Sequence, residues 1–278
     1  MTTTAAAVPG LAGQVLADYG DRVSLHDLYD EEGAPVYHDL AAGDTSEIRE
    51  LLRVVRAFPG PVLELASGSG RLTLPLLALG REVTALELKE SMLELLRTRL
   101  AAAPAGAGRR CVPVLGDMSA FSLGRTFAVV VLGTTSVSLL DEAGRAGLYA
   151  AVRSHLAPGG RFVLSTVDVT PVTAVTASGE STDEADLDFE AAGASGRRYR
   201  MIEHWPAGDP VRRVTILPPA REAATAERVD VLTTSIRVLP ADALTRELAD
   251  AGLRVVARHQ LPHGGPRHTD VLLEVEAV

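Results

Sequence analysis

Two kinds of hydrophobic spacing alternate along the middle of this chain. Val62 to Leu65, Glu82 to Leu88, Cys111 to Leu115, Thr126 to Leu132 and Gly160 to Val167 are short, largely apolar runs, and each predicts a strand. Val129-Val130-Val131 is continuous, as a strand covered on both faces requires. Between the runs the spacing changes. Leu72 to Ala78, Glu90 to Ala103 and Glu142 to Leu156 read as helices, and Met92, Leu93, Leu96 and Leu100 mark one helical face. Pro158-Gly159-Gly160 closes the last of them. Alternating strands and helices predict an α/β fold, a mostly parallel sheet with helices on both faces.

The flanks read differently. Residues 1–20 begin small and polar, with disorder expected over the first ten, then become weakly helical. Ser24 to Leu40 suggests two short helices broken near Gly33 and Pro35. Asp44-Thr45-Ser46 caps a helix from about Glu47 to Ala57, with Glu47 in the reciprocal capping place. Residues 168–196 hold few large apolar groups, and six acids fall between Glu180 and Glu190; a solvated loop is the plain reading. Arg198 to Trp205, Val211 to Leu217 and Arg228 to Leu239 then suggest an antiparallel meander. A helix from Pro240 to Ala251 resumes the α/β grammar. Leu253 to Gln260 and Asp270 to Val275 flank His263-Gly264-Gly265-Pro266 and should pair as an antiparallel hairpin. The expected layout is an N-terminal helical cover over 1–43 and an α/β domain over 44–278. Residues 170–239 form an antiparallel β lid inserted into it.

Composition narrows the function. The chain has 278 residues, enough for one large domain or two small ones, and a net charge of −9. A nucleic-acid partner held through phosphates needs a basic stripe, so none is expected. The single Cys111 excludes an internal disulfide and a cysteine metal cluster. There is no secretory signal pattern and no apolar run long enough to span a bilayer, so the cytoplasm is the expected compartment and no membrane partner is expected. His259, His263 and His268 straddle a Gly-Gly turn, a poor spacing for a metal, and no metal is expected.

Candidate chemistry centres on Glu64-Leu65-Ala66-Ser67-Gly68-Ser69-Gly70-Arg71-Leu72, where a strand runs into a small-residue turn and a helix start. Glycines there let a ligand approach backbone, and a helix start favours electron-rich groups. The dinucleotide fingerprint Gly-x-Gly-x-x-Gly is incomplete, because Thr73 takes the third glycine place. The Gly-Lys-Ser/Thr of a phosphate loop is absent. Glu87 ends the second strand 17 residues after Gly70, where an acid accepts ribose hydroxyls. Gly116-Asp117-Met118 follows the third strand, where a carboxylate can take an adenine amino group. An adenosine with a non-phosphate substituent fits this set better than NAD.

Those three segments, with Ser91-Met92-Leu93 and Leu156-Ala157-Pro158-Gly159-Gly160-Arg161, resemble the class I S-adenosylmethionine-dependent methyltransferases from about Asp44 to Asp168. The resemblance implies a Rossmann-like seven-stranded sheet with its last strand antiparallel, S-adenosylmethionine as methyl donor and S-adenosylhomocysteine as product. By position it implies that Glu64 opens the first motif and that Ala66 to Gly70, Gly68 included, line the methionine portion with Arg71 beside them. Glu87 would hold the ribose, and Leu88 and Met92 would sandwich adenine. Asp117 and the Met118 backbone would meet the adenine edge, and Leu132 and Gly133 would turn a carbonyl toward the methionine amine.

The acceptor is less legible. Leu132-Gly133-Thr134-Thr135-Ser136 differs from the Asn/Asp-Pro-Pro-Tyr of base and glutamine-amide methyltransferases, and it offers no acidic metal ligand. Many small-molecule methyltransferases of the shape this chain resembles carry a histidine shortly after the fourth strand, and Leu139 stands at the matching position here. An amine acceptor needs little base catalysis, because alignment does most of the work; an alcohol needs a positioned base. His38 and His204 are the base candidates, and Tyr29 and Tyr37 are candidate walls for the methyl group. The cover and insertion resemble those of sugar-amine N-methyltransferases and of daptide-type peptide N-methyltransferases. The first reading is therefore N-methylation of a small-molecule or short-peptide amine in secondary metabolism, such as antibiotic biosynthesis, by an enzyme with room for a homodimer. The alternatives are an O-methyltransferase, an NAD-dependent oxidoreductase and a non-catalytic adenosine sensor.

Overall fold

The structure, a computed structural model, describes residues 8–104, 106–169, 174–175, 181–182, 184–262 and 268–278. The expected Gly-Gly turn with His263, and the Glu180 end of the acidic run, lie outside these residues. In chain order the elements begin α1 Gly10–Ala17, β1 Val23–Asp27, α2 Ala34–Ala41, α3 Ile48–Ala57, β2 Val62–Leu65, α4 Thr73–Ala78, β3 Val83–Glu87, α5 Glu90–Ala102 and β4 Cys111–Leu115. They continue β5 Phe127–Leu132, α6 Glu142–His155, β6 Leu156–Val169, β7 Ala174–Val175, β8 Ser181–Thr182, β9 Ala185–Ala192, β10 Arg198–Trp205 and β11 Val211–Leu217. The last are α7 Ala220–Thr225, β12 Val229–Arg237, α8 Ala241–Asp250, β13 Leu253–Gln260 and β14 His268–Ala277. The chain divides into two compact units, Met1–Asp44 with Pro171–Val238, and Thr45–Thr170 with Leu239–Val278.

The second unit is the α/β part. Its seven-stranded sheet runs β13-β14-β6-β5-β2-β3-β4. β2, β3, β4, β5 and β6 pair in parallel, and β14 runs antiparallel to both β6 and β13. Hydrophobic clusters lie on both faces. Leu63, Val130, Phe127, Phe162 and Leu164 pack with α6 and α8 through Leu148, Val152, Leu244 and Leu248. Val62, Val129, Val131 and Val163 pack with α3, α4 and α5 through Leu51, Val55, Leu76, Leu93 and Leu96. Burying side chains of this size contributes roughly 1.5–3 kcal/mol each. The continuous apolar runs follow from that double cover. The Pro158–Gly160 turn lies inside β6, where its register against β5 shifts between Phe127 and Val129.

The first unit holds a five-stranded sheet in the order β1-β12-β11-β10-β9. Its meander is extended by two strands that the sequence reading missed. The first of the two helices expected over Ser24 to Leu40 is replaced by β1, which pairs in parallel with β12, Val23 opposite Val229. The described part of the acidic run is β9 rather than a solvated loop, with Asp188 paired to Arg200 and Glu190 to Arg198 on β10. α1 places Ala12 and Leu16 against Ile202, Leu217, Val229 and Val231. Val36, Tyr37 and Leu40 of α2 join Tyr199, Val214, Ile216 and Leu232. Ile202 and Tyr199 differ in parity along β10, so the two clusters occupy opposite faces of the sheet.

Candidate active site

The winding of the larger sheet reverses between β2 and β5. From β2 the chain adds β3 and β4 on one side, then returns to place β5 on the other. In an open parallel sheet, ligand crevices form beyond the strand ends at such a reversal. The loops that meet there are Ala66–Arg71 after β2 and Gly133–Thr135 after β5.

Ala66, Gly68 and Gly70 turn the first loop through the left-handed region, at φ 50°, 55° and 87°. A Cβ at Gly70 would lie 2.5 Å from Leu96 Cδ1, so this glycine lets α5 pack. At Gly68 an added Cβ meets nothing within 4 Å, so the loop faces open space there. Glu87, buried at the end of β3, anchors that segment. Its Oε2 accepts the Gly68 N–H at 2.8 Å and its Oε1 accepts the Lys89 N–H at 2.9 Å. A carboxylate has about four acceptor sites, so lone pairs remain for ligand hydroxyls. Asp117 is exposed after β4, with Oδ1 accepting the Ser119 N–H and Oγ–H at 2.7 Å. Met118 and Met92 are buried, whereas Leu88 is 58% exposed.

Glu64 sits on β2 itself, fully enclosed, and accepts the Thr73 hydroxyl at 2.6 Å. Burial pushes its carboxyl pKa up to about 8, against the opposing pull of Thr73 and Arg71. It is therefore mostly a neutral acid at pH 7, which is how a carboxyl survives in this core.

Glu47 departs from its expected role. It precedes α3 but makes no side-chain cap bond to it. Its buried carboxylate takes the Arg71 guanidinium and the Thr134 N–H, the latter at 3.0 and 3.1 Å. Arg71 also donates to Thr134 Oγ1 at 2.7 Å. Thr134 and Thr135 both lie at positive φ, 57° and 53°. Leu132 and Gly133, just before them, are buried. Ser67 Oγ and Ser138 Oγ are buried with no partner among the described residues, polar atoms left over beside these loops. Open space at Gly68, lone pairs at Glu87, orphaned hydroxyls and a buried arginine suit an adenosyl group carrying an amino acid.

The acceptor candidates all lie in the smaller unit. Tyr29 and Tyr37 meet edge to face at 5.1 Å. Burial, Tyr37 and Asp27 hold the Tyr29 phenol above its ordinary pKa, so it stays protonated. Both join the α2 face of the sheet. His38 is on α2, half-buried, next to Asp39, whose carboxylate accepts the Tyr199 hydroxyl at 2.9 Å. His204 is elsewhere. It is buried, its Nδ1 lies 2.9 Å from Asp186 Oδ1, and its ring is the nearest group to a Cβ built on Gly10 at the start of α1. Asp186 Oδ2 also accepts the Leu11 N–H at 3.1 Å. By parity His204 shares the α1 face with Ile202, so the sheet separates it from Tyr29 and Tyr37. Among these residues the sequence reading missed Asp186 and the true partners of Glu47. Asp186 was visible only as part of an acidic run.

A family profile described as a methyltransferase domain matches residues 62–160. No curated protein matches the sequence. Among solved structures, the glycopeptide N-methyltransferase MtfA complexed with S-adenosylmethionine is 35% identical, with 98% of this chain and 99% of that one covered and a TM-score of 0.65. The CcbJ methyltransferase from Streptomyces caelestis has a TM-score of 0.73 at 24% identity, over 91% of this chain and 98% of that one. Streptomyces venezuelae DesVI has a TM-score of 0.60 at 21% identity, over 86% and 97% of the two chains; these last two attest the fold. Identity of this extent along nearly the whole length, the matching domain profile and the switch-point loops agree: the chain belongs to the class I S-adenosylmethionine-dependent methyltransferases.

Proposed function

We propose that this enzyme methylates an amine nitrogen of a natural product, with a peptide N-terminus or an amino sugar as the acceptor class. The observation that carries the reading is the 35% identity over 98% of the chain to MtfA, a glycopeptide N-methyltransferase. The turn after β5 supports it, since Thr134, Thr135, Ser136 and Ser138 offer neutral hydroxyls and no strong base. An amine brings its own lone pair, so holding it in line and excluding water is most of what the residues must do. When bound, S-adenosylmethionine supplies an electrophilic methyl group on a sulfonium.

On this reading Glu87 accepts the ribose hydroxyls. Asp117 and the Met118 backbone meet the adenine edge, with Leu88 and Met92 on its faces. Ala66 to Gly70 and Arg71 take the methionine end, the Leu132 and Gly133 carbonyls take its amine, and Glu64 stays neutral beneath. His38, Tyr29 and Tyr37 are acceptor-side residues, and His204 holds the start of α1 through Asp186. The test is competition between matched acceptors, a peptide with a free N-terminal amine and its hydroxy-acid analogue, incubated with S-adenosylmethionine and read by mass. Methylation confined to the amine is the expected result. Methylation of the hydroxy analogue, with the amine untouched, overturns the reading in favour of an O-methyltransferase.

A further inference from the structure

The Glu47–Arg71 pair does more than a helix start requires. A buried ion pair gains little stability, because desolvation offsets its attraction. Such a pair is better explained by what it holds in place. Glu47 spans 24 residues to Arg71 in the loop after β2 and 87 residues to Thr134 in the turn after β5. Those two loops face each other across the reversal of the sheet. The turn it reaches is conformationally unfavourable, since Thr134 and Thr135 are consecutive β-branched residues at positive φ. Such backbone persists only where neighbours over-determine it. Here they do: Glu47 accepts the Thr134 N–H, Arg71 donates to the Thr134 hydroxyl oxygen, and Ser165 Oγ accepts the Thr135 N–H at 2.9 Å. Gly133 fits the same account. A Cβ there would stand 2.3 Å from Leu72 Cδ1 and 3.1 and 3.2 Å from the two Glu47 carboxylate oxygens, so glycine makes room first for the leucine and also for the carboxylate.

We infer that Glu47 is a positioning residue for the methyl donor: it locks Arg71 and the Gly133–Thr135 turn together so that they form the pocket for the donor's amino-acid end. The inference rests on the donor placement proposed above. It assigns no contact between Glu47 and the reacting atoms.

Two ligands separate this role from a general contribution to the fold. S-adenosylhomocysteine carries the amino-acid end, and methylthioadenosine lacks it. Calorimetric titration of the full chain should show Glu47→Gln binding S-adenosylhomocysteine about tenfold or more weakly, with methylthioadenosine binding unchanged. In turnover, KM for the donor should rise by a similar factor while kcat at saturating donor is retained. A second variant, Glu47→Asp, keeps a carboxylate beside Arg71 but draws it back from the Thr134 N–H, so no buried charge is stranded and it should fold. It should show the same selective loss while its thermal midpoint stays near that of the parent. Equal losses for both ligands, or no loss for either, overturn the inference while leaving the donor site standing. If the parent protein binds methylthioadenosine but not S-adenosylhomocysteine, the amino-acid end is misplaced and the inference falls. If it binds neither, the donor placement falls too.

Discussion

Glu87→Gln tests the proposed donor site at its best-anchored point. The carboxylate accepts two backbone N–H groups, from Gly68 at 2.8 Å and Lys89 at 2.9 Å, and it is only 7% exposed. Glutamine has the same shape but one acceptor oxygen. Its amide nitrogen must then face one of those N–H groups, donor against donor. One buried N–H is stranded, at about 1–3 kcal/mol, and the surviving bond loses its charge. A loss of about 2 kcal/mol lowers the thermal midpoint by roughly 4–8 °C for a domain of this size. Binding has its own cost. The ribose hydroxyls that would donate to a carboxylate meet a weaker acceptor, and about 2–3 kcal/mol of lost affinity is roughly 30- to 150-fold in Kd. Calorimetry with S-adenosylhomocysteine, alongside thermal unfolding without ligand, separates the two effects. A variant with the lowered midpoint but parental affinity would show that Glu87 shapes the glycine loop and does not touch the donor, refuting the ribose assignment.

Two further predictions concern pH and packing in the same unit. Glu64 has its folded pKa raised from an ordinary value near 4.5 to about 8. The folded state therefore binds more protons than the unfolded one across that window, and stability falls as pH rises through it. Glu64→Gln, unable to ionise, should flatten that component of the pH profile measured by urea unfolding; an unaltered slope refutes the buried-acid account. Glu247 accepts two bonds from the buried Arg145 guanidinium, at 2.7 and 2.8 Å, and one from Tyr149 at 3.2 Å. Arg145 holds its pKa below the ordinary carboxylate value, so this stabilisation is present at neutral pH and is lost as pH falls below the carboxylate range. Glu247→Ala strands the guanidinium, and its denaturation midpoint should fall by the equivalent of about 2–3 kcal/mol. A change under about 0.5 kcal/mol would mean that water replaces the carboxylate without penalty.

Much of this protein is legible in its sequence alone. The strands β2, β3, β5 and β6 read directly as apolar runs, because a strand covered on both faces has no polar side to interrupt it; the edge strand β4 is as apolar although Val112 and Leu115 are exposed. The helices between them showed their own period, and the glycine loop, Glu87 and Asp117 fell at strand ends by counting alone. What the sequence could not yield is whatever depends on a partner far along the chain. β1 read as helix because its strand partner, β12, lies about 206 residues away (Val23 opposite Val229). The acids of β9 read as a solvated loop because Arg198, Arg200 and His204, which pair with them, come from the next strand. Glu47 read as a cap because capping is the local use of an acid at a helix start. Only folding brings Arg71 and the Thr134 N–H to it, and burial makes that pairing preferable to an exposed cap. Local spacing thus determined the larger sheet, its helices and the position of the glycine loop after β2. Tertiary structure decided which charges are buried, what they hold, and that His204 and the Tyr29–Tyr37 pair stand on opposite faces of one sheet, because burial and cross-strand pairing are set by packing and not by sequence neighbours.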